Sequence, residues 1–171
     1  MFVCLPCGLW NKVMLILKKI ILLPLGYVCL TANKDYLLRI DHLQNHYPIE
    51  DQSVLNENDI LKETEKQLSA YFLRKLMYFS IPLQIEGTDF QRLAWSELMN
   101  IPYGKTISYS EQAQNIGYDK AYRAVGLANH KNPISIIIPC HRVVGKNKKL
   151  VGYAGGLNKK KYLHNIEEIR L

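Results

Sequence analysis

Ser108-Tyr109-Ser110-Glu111, followed by Gly117 and then by Lys120 to Asn129, is the stretch whose reading decides how the second half of this chain folds. A serine with glutamate three residues on has the spacing of a capping box. The hydroxyl accepts an orphan backbone N–H of the first turn, and the carboxylate accepts the N–H of the cap itself. Gly117 can close that helix in a left-handed conformation. A second short helix, over about residues 120–129, must then follow immediately. Two short helices joined by a tight turn containing glycine read as a helix-turn-helix, although many such pairs bind no DNA.

Working outward, Thr88 and Gln91 repeat the capping-box spacing ahead of Phe90, Leu93, Ala94 and Leu98, an amphipathic helix ended by Ile101-Pro102-Tyr103-Gly104. Downstream, the apolar run Ile134 to Ile138 reads as buried and leads into Ile138-Pro139-Cys140-His141-Arg142-Val143. A thiol is a strong nucleophile only as thiolate, and its pKa of about 8.5 must be lowered by a partner such as histidine or a helix N-terminus. Alone, a Cys-His pair proves little, since free cysteine is among the commonest core residues. Gly145-Lys146-Asn147 reads as a turn, and Asn158 as the cap of a final helix that buries Tyr162, Ile166 and Ile169.

Upstream, the density of Leu, Ile and Val over residues 14–40 predicts two strands with a turn at Asn33-Lys34-Asp35. Residues 43–58 are polar and read as loop. Leu61, Leu68, Phe72 and Leu76 recur at roughly helical spacing over Asp59 to Leu76. Ile81-Pro82-Leu83 reads as extended and begins a link between two halves. The expected organisation is α+β, with an extension over 1–13, an α/β domain over 14–84 and a mainly helical domain over 85–171.

The chain has 171 residues and a net charge of +7. Residues 1–86 balance nine basic against nine acidic side chains, while residues 87–171 carry thirteen against six. A basic half suits a phosphate backbone, although Lys146, Lys148, Lys149 and Lys159 to Lys161 could equally be a solvated face. Cys4, Cys7, Cys29 and Cys140 cluster too unevenly for a disulfide framework, which favours a reducing, cytoplasmic setting. Cys4-x-x-Cys7 could be half of a zinc site, with Cys29 and His42 as conceivable partners; an incidental pair is the expectation. The longest apolar run, Ile20 to Leu30, is too short to span a bilayer and is interrupted by Pro24-Leu25-Gly26.

From Gly87 to Glu167 the chain resembles the O6-alkylguanine-DNA alkyltransferase family, bacterial type (the methylated-DNA–protein-cysteine methyltransferases). Gly87-Thr88-Asp89-Phe90-Gln91, Ile101 to Thr106, Ser108-Tyr109, Arg123-Ala124-Val125-Gly126, Asn132-Pro133, Ile138 to Val143 and Gly152 to Leu157 carry the resemblance, in the family's order and at its spacing. It implies a small ribonuclease-H-like N-terminal domain and a winged-helix-like C-terminal domain whose helix-turn-helix docks in the minor groove. The implied activity is a single, self-inactivating transfer of an alkyl group from O6-alkylguanine, and from O4-alkylthymine, in double-stranded DNA to Cys140.

The resemblance also distributes roles. His141 draws the thiol proton through a bound water and is polarised by Glu167, and Asn132 braces the site. Tyr109 crowds the phosphate and Arg123 fills the stack when the base is flipped, with Ala124 and Gly126 on the same helix. Tyr109, Ser135, Val143, Tyr153 and Ala154 line the substrate pocket, where carbonyls of Cys140 and Val143 read the guanine amine. Taken singly, Glu167 reads as a solvated helix carboxylate beside Glu168, and Tyr109 and Arg123 as packing and surface charge. No cofactor and no metal are implied, and the expected state is a monomer with no membrane partner. Two other readings compete: a lesion-binding protein without transfer activity, which would lack the acceptor cysteine, and a Cys-His hydrolase, for which no oxyanion motif is present.

Overall fold

The computed structural model describes residues 15–43 and 58–171. The expected extension over 1–13, with Cys4 and Cys7, lies outside the described residues, as does the expected loop over 43–58 but for its ends.

Three strands form where two were expected: β1 (Leu17–Leu23), β2 (Gly26–Ala32) and β3 (Leu37–His42). The hidden reversal is Pro24-Leu25, after which Gly26 takes a φ of 102°, a region open chiefly to glycine. Unbroken apolar sequence on both sides masks this turn. The sheet is antiparallel in the order β1-β2-β3, with Ile20 opposite Cys29 and Leu30 opposite Ile40. Period-two alternation turns Leu17, Ile21 and Leu23 inward and leaves Leu22 exposed.

Helix α1 (Asp59–Phe72) covers the sheet with Leu61, Leu68, Tyr71 and Phe72. Its cap, Asn58, accepts the Leu61 N–H at 3.0 Å and donates its amide to the Asn33 carbonyl at 2.7 Å, so the helix start is pinned to the β2–β3 turn. The helix ends before the expected Leu76, because Arg74 turns left-handed with a φ of 58°.

The second half contributes α2 (Asp89–Met99), β4 (Ile107–Ser108), α3 (Tyr109–Asn115), α4 (Tyr122–His130), β5 (Val143–Val144) and α5 (Leu157–Ile166). Both capping boxes form, at Thr88 and at Ser108, and Gly117 adopts a φ of 80° between α3 and α4. Two expectations for α5 fail. Gly156, not Asn158, occupies the cap position, and Tyr162 is exposed while Lys160, Leu163 and His164 turn inward. Ile169 is only partly buried, just past the end of α5. Trp95, absent from the expected face of α2, is buried and donates its indole N–H to the Ala128 carbonyl at 2.8 Å, tying α2 to α4.

Helices α3 and α4 are joined inside by a reciprocal amide pair, Gln112 Nε2 to Asn129 Oδ1 at 3.2 Å and Asn129 Nδ2 to Gln112 Oε1 at 2.7 Å. Gln112 also donates to the Ala94 carbonyl at 2.9 Å. Gln112→Leu would strand these buried groups, and the expected loss is roughly 1–3 kcal/mol of stability. Thermal unfolding of the variant should show a lower Tm, and an unchanged Tm would mean the pair contributes nothing net.

The halves share one core. The β3 backbone reaches across the join: Leu37 N–H bonds the Pro82 carbonyl and Ile40 N–H the Pro133 carbonyl, each at 2.9 Å. Residues 131–138 are therefore hung on the sheet edge, and they deliver the segment that follows.

Candidate active site

Ile134 to Ile138 is buried as expected, but it is a compact reversal rather than a strand. Ile138 N–H returns to the Ile134 carbonyl at 2.9 Å, and Ile136 sits at a φ of 76°, which a β-branched residue adopts only under constraint. Asn132 supplies the constraint. Its amide donates to the Ile138 carbonyl at 2.7 Å and its oxygen accepts the Ile134 N–H at 3.0 Å. Cys140 follows at once, opening a single 3-10 turn, Cys140–Arg142, with 6% of its surface exposed.

Behind this turn lies Glu167, at the C-terminal end of α5 and 2% exposed. Its carboxylate accepts from His141 Nε2 at 2.8 Å, Tyr71 hydroxyl at 2.8 Å, Arg142 Nε and Nη2 at 2.9 and 3.0 Å, and Gly104 N–H at 3.1 Å. Burial alone would push Glu167 up, but its bonds and charge interactions with His141 and Arg142 outweigh it and hold the carboxyl well below the usual range. Burial pushes His141 down, against the pull of Glu167. Arg142 is always charged and suffices to keep Glu167 ionised, so the pair rests as carboxylate and neutral imidazole. A carboxylate can only accept, so His141 carries its proton on Nε2. Its Nδ1 is buried and has no hydrogen-bond partner. A free imidazole lone pair one residue from the thiol is a base in waiting.

Desolvation raises the Cys140 pKa, opposed by the Asn132 side chain and the charge of Lys160. Lys160 is itself fully buried, and its ammonium donates to the carbonyls of Val143, Val151 and Gly152 at 2.6, 2.7 and 3.0 Å. Burial brings its pKa down to about 8, while three carbonyl acceptors match the three protons of the charged form. Lys160 thereby fixes the loop that faces Tyr109. Gly152 in that loop has a φ of 53°, which favours glycine, and a Cβ there would stand 3.0 Å from the Tyr109 hydroxyl and press on it. His164 adds a further brace, with Nε2 2.6 Å from the His141 carbonyl.

A cleft of about 370 Å³ opens above Cys140, lined by Tyr109, Arg123 and Gly126 on one side and Val151 to Ala154 on the other. Of the residues picked out from sequence, Cys140, Tyr109, Arg123, Gly126, Tyr153 and Ala154 meet there. His141, Glu167 and Asn132 stand beside or behind the cysteine. Ala124 is exposed on α4 outside the cleft, and Ser135 lies on the opposite side of Cys140. Val143 is buried away from the cleft, its carbonyl already engaged by Lys160. Tyr109 keeps its proton, with a pKa pushed up to about 12 chiefly by burial.

Sequence reasoning gave no role to Tyr71, Gly104, Arg142, Lys160 or His164. Arg142 stood inside the quoted motif, but its partner lies 25 residues away. Among the described residues no group of three or more His, Cys, Asp or Glu could hold a metal ion, and no helix is long and apolar enough to cross a membrane.

Residues 16–85 match the ribonuclease-like domain of 6-O-methylguanine DNA methyltransferase, and residues 89–169 match its DNA binding domain. A methylated-DNA–protein-cysteine methyltransferase of Methanosarcina barkeri is 48% identical, over 86% of this chain and 94% of its own length. One from Mycobacterium leprae is 43% identical, over 85% and 88%. The Mycobacterium tuberculosis OGT structure in complex with DNA superposes with a TM-score of 0.79 at 40% identity, covering 88% of this chain and 92% of that one.

Proposed function

This chain belongs to the methylated-DNA–protein-cysteine methyltransferase family, which repairs DNA by alkyl transfer to a protein cysteine, and from that premise we propose that Cys140 is its acceptor, activated by His141 and Glu167. The observation that carries this reading is a cleft bordered by Tyr109 and Arg123 with the buried Cys140 among its lining, followed in the chain by a histidine whose Nδ1 is buried and unpartnered.

In the proposed reaction the Cys140 proton passes to His141 Nδ1, through a bridging water, and the resulting imidazolium is held by the Glu167 carboxylate. The thiolate forms under the influence of the Asn132 amide and the Lys160 charge. Sulfur then attacks the alkyl carbon and the C–O6 bond breaks; the departing guanine accepts a hydrogen bond from the Tyr109 hydroxyl, and the proton it finally gains is, in net balance, the one that left Cys140. The product thioether is stable, so each chain reacts once. The target atom is inaccessible in a stacked duplex, so the base must leave the helix, and Arg123, exposed on α4, is the residue to take its place. We read the protein as a cytoplasmic monomer acting on O6-alkylguanine, and on O4-alkylthymine, in double-stranded DNA.

Mixing the protein with duplex carrying O6-methylguanine and weighing the intact chain tests the reading. One methyl should appear and no more; none would indicate a damage sensor, and repeated release a hydrolase. Arg123→Ala should slow repair of duplex at least about tenfold more than reaction with free O6-methylguanine, because flipping costs a few kcal/mol of unstacking that the free base does not incur. Equal slowing of both substrates would take Arg123 out of the flipping step.

A further inference from the structure

The exposed face of α4 carries one large aromatic ring. Tyr122 opens the helix with 46% of its surface exposed, and it borders the cleft above Cys140 together with Arg123, Gly126 and His130. Tyr122, Gly126 and His130 recur every fourth residue, so one stripe of the helix walls the cleft. In the middle of that stripe the helix approaches the pocket closely: a Cβ on Gly126 would stand 3.7 Å from the Tyr109 ring. Tyr122 lies one turn before it, roughly 6 Å along the axis, beside Arg123.

The Arg123 guanidinium carbon sits 5.9 Å from the centroid of the Tyr122 ring, within cation–π range. Among the described residues no ion pair holds Arg123, so the ring is the group in place to steady it. Tyr118, four residues earlier, is committed elsewhere, its ring edge-on to Phe90 at 5.3 Å. Tyr122 has no aromatic partner among the described residues. The exposed residues of α4 are Tyr122, Arg123, Ala124, Leu127 and His130, with no carboxylate among them. Such a face suits the minor groove of a duplex. Flat or apolar side chains can wedge there between base steps, whereas acidic ones would meet the flanking phosphates.

We infer that Tyr122 is a second member of the flipping device and works as one unit with Arg123. The inference rests on Arg123 being the residue that enters the stack. The guanidinium fills the place the base has left, and the ring lies against the adjoining base step and carries the guanidinium flat. An arginine fixed in a stack must surrender much of its rotamer freedom. Resting on the ring, Arg123 has surrendered part of that freedom before DNA arrives. Stacking of the ring on a base then adds to the gain. Both effects need a stack to enter, so they belong to duplex repair and not to the chemistry at sulfur.

Single-turnover rates, read by intact mass at saturating O6-methylguanine duplex and again with free O6-methylguanine, test the unit. Tyr122 is exposed, so replacing it leaves the core untouched. Tyr122→Leu should lower the duplex-to-free-base rate ratio about tenfold, the scale of one lost base–aromatic stack. Tyr122→Phe keeps the ring and should hold the ratio within about twofold of wild type. With Arg123→Ala already in place, Tyr122→Leu should cost about threefold or less, because partners in one unit are not additive. A ratio that Tyr122→Leu leaves unchanged, a Tyr122→Phe ratio as low as that of Tyr122→Leu, or a loss of about tenfold in the Arg123→Ala background would each overturn the inference. Methyl transfer by the wild-type protein would still support Cys140 as acceptor in all three cases. If Arg123→Ala slowed both substrates alike, the flipping role of Arg123 would fall, and this inference with it.

Discussion

Cys140→Ser is expected to leave no detectable alkyl on the protein after prolonged incubation with alkylated duplex, while folding and DNA binding persist. Serine is close to cysteine in size and fits the same nearly closed site, so packing changes little. What disappears is the nucleophile. A hydroxyl is scarcely ionised near neutral pH, and a neutral imidazole that reaches it only through a water is too weak a base to leave it as the alkoxide that attack would need. The other described cysteine, Cys29, is part-buried in β2 with its pKa raised chiefly by burial, and Cys29→Ser should transfer at the wild-type rate. Peptide mapping after a single turnover reads both variants. Alkyl found on Cys29, Cys4 or Cys7, or more than one group per chain, would falsify the assignment.

Glu167→Gln should fail in two ways at once, and the two can be separated. Chemically, His141 loses the anion that would hold its imidazolium, and general-base assistance typically contributes ~10²–10⁴-fold. Structurally, Arg142 is left buried without a counter-ion, and breaking such a pair typically costs about 3–5 kcal/mol. For a chain of this length that corresponds to a fall in Tm on the order of 10 °C. Pairing the change with Arg142→Met should recover most of the stability, since replacing both partners of a buried ion pair is often neutral, yet transfer should stay slow. Recovery of both together would mean that Glu167 serves only the fold.

The pH dependence has a defined sign. Glu167 titrates lower in the folded than in the unfolded chain, so its contribution is complete above about 4.5 and is lost as pH falls towards its folded value. His141 and His42 are also depressed, so the unfolded chain binds their protons first as pH drops below about 6.5. Stability should therefore decline from about pH 6.5 downward and more steeply below 4.5. In Glu167→Gln the second, steeper part should flatten, which urea unfolding across that range would reveal.

Much of the fold is legible from the sequence where its causes are local. Thr88 with Gln91 and Ser108 with Glu111 are three residues apart, and each box forms where the spacing predicts. The third strand is hidden in the sequence because apolar residues on both sides of Pro24-Leu25 look like one run, and only the Gly26 backbone marks the reversal. At the site, Cys140 and His141 announce themselves by adjacency, and Asn132 reaches only as far as Ile138. Tyr71 and Gly104 could not be found this way, being 96 and 63 residues from the carboxylate they serve. Lys160 was concealed differently. It sits in a run of three lysines that looks like a solvated face, and only the helical phase of α5 turns the middle one inward.

That distribution of partners around Glu167 bears on when the protein is armed. Before the chain has closed, Cys140 is an ordinary thiol, open to any passing electrophile and assisted by none of the groups that would make it selective. Docking of α5 against α1 and the Pro102–Gly104 turn withdraws the thiol from bulk solvent and supplies its base in one event. For a reagent that can be spent only once, folding is the safety catch. On the proposed reading, it shields the thiol from stray chemistry and leaves it open only towards the cleft.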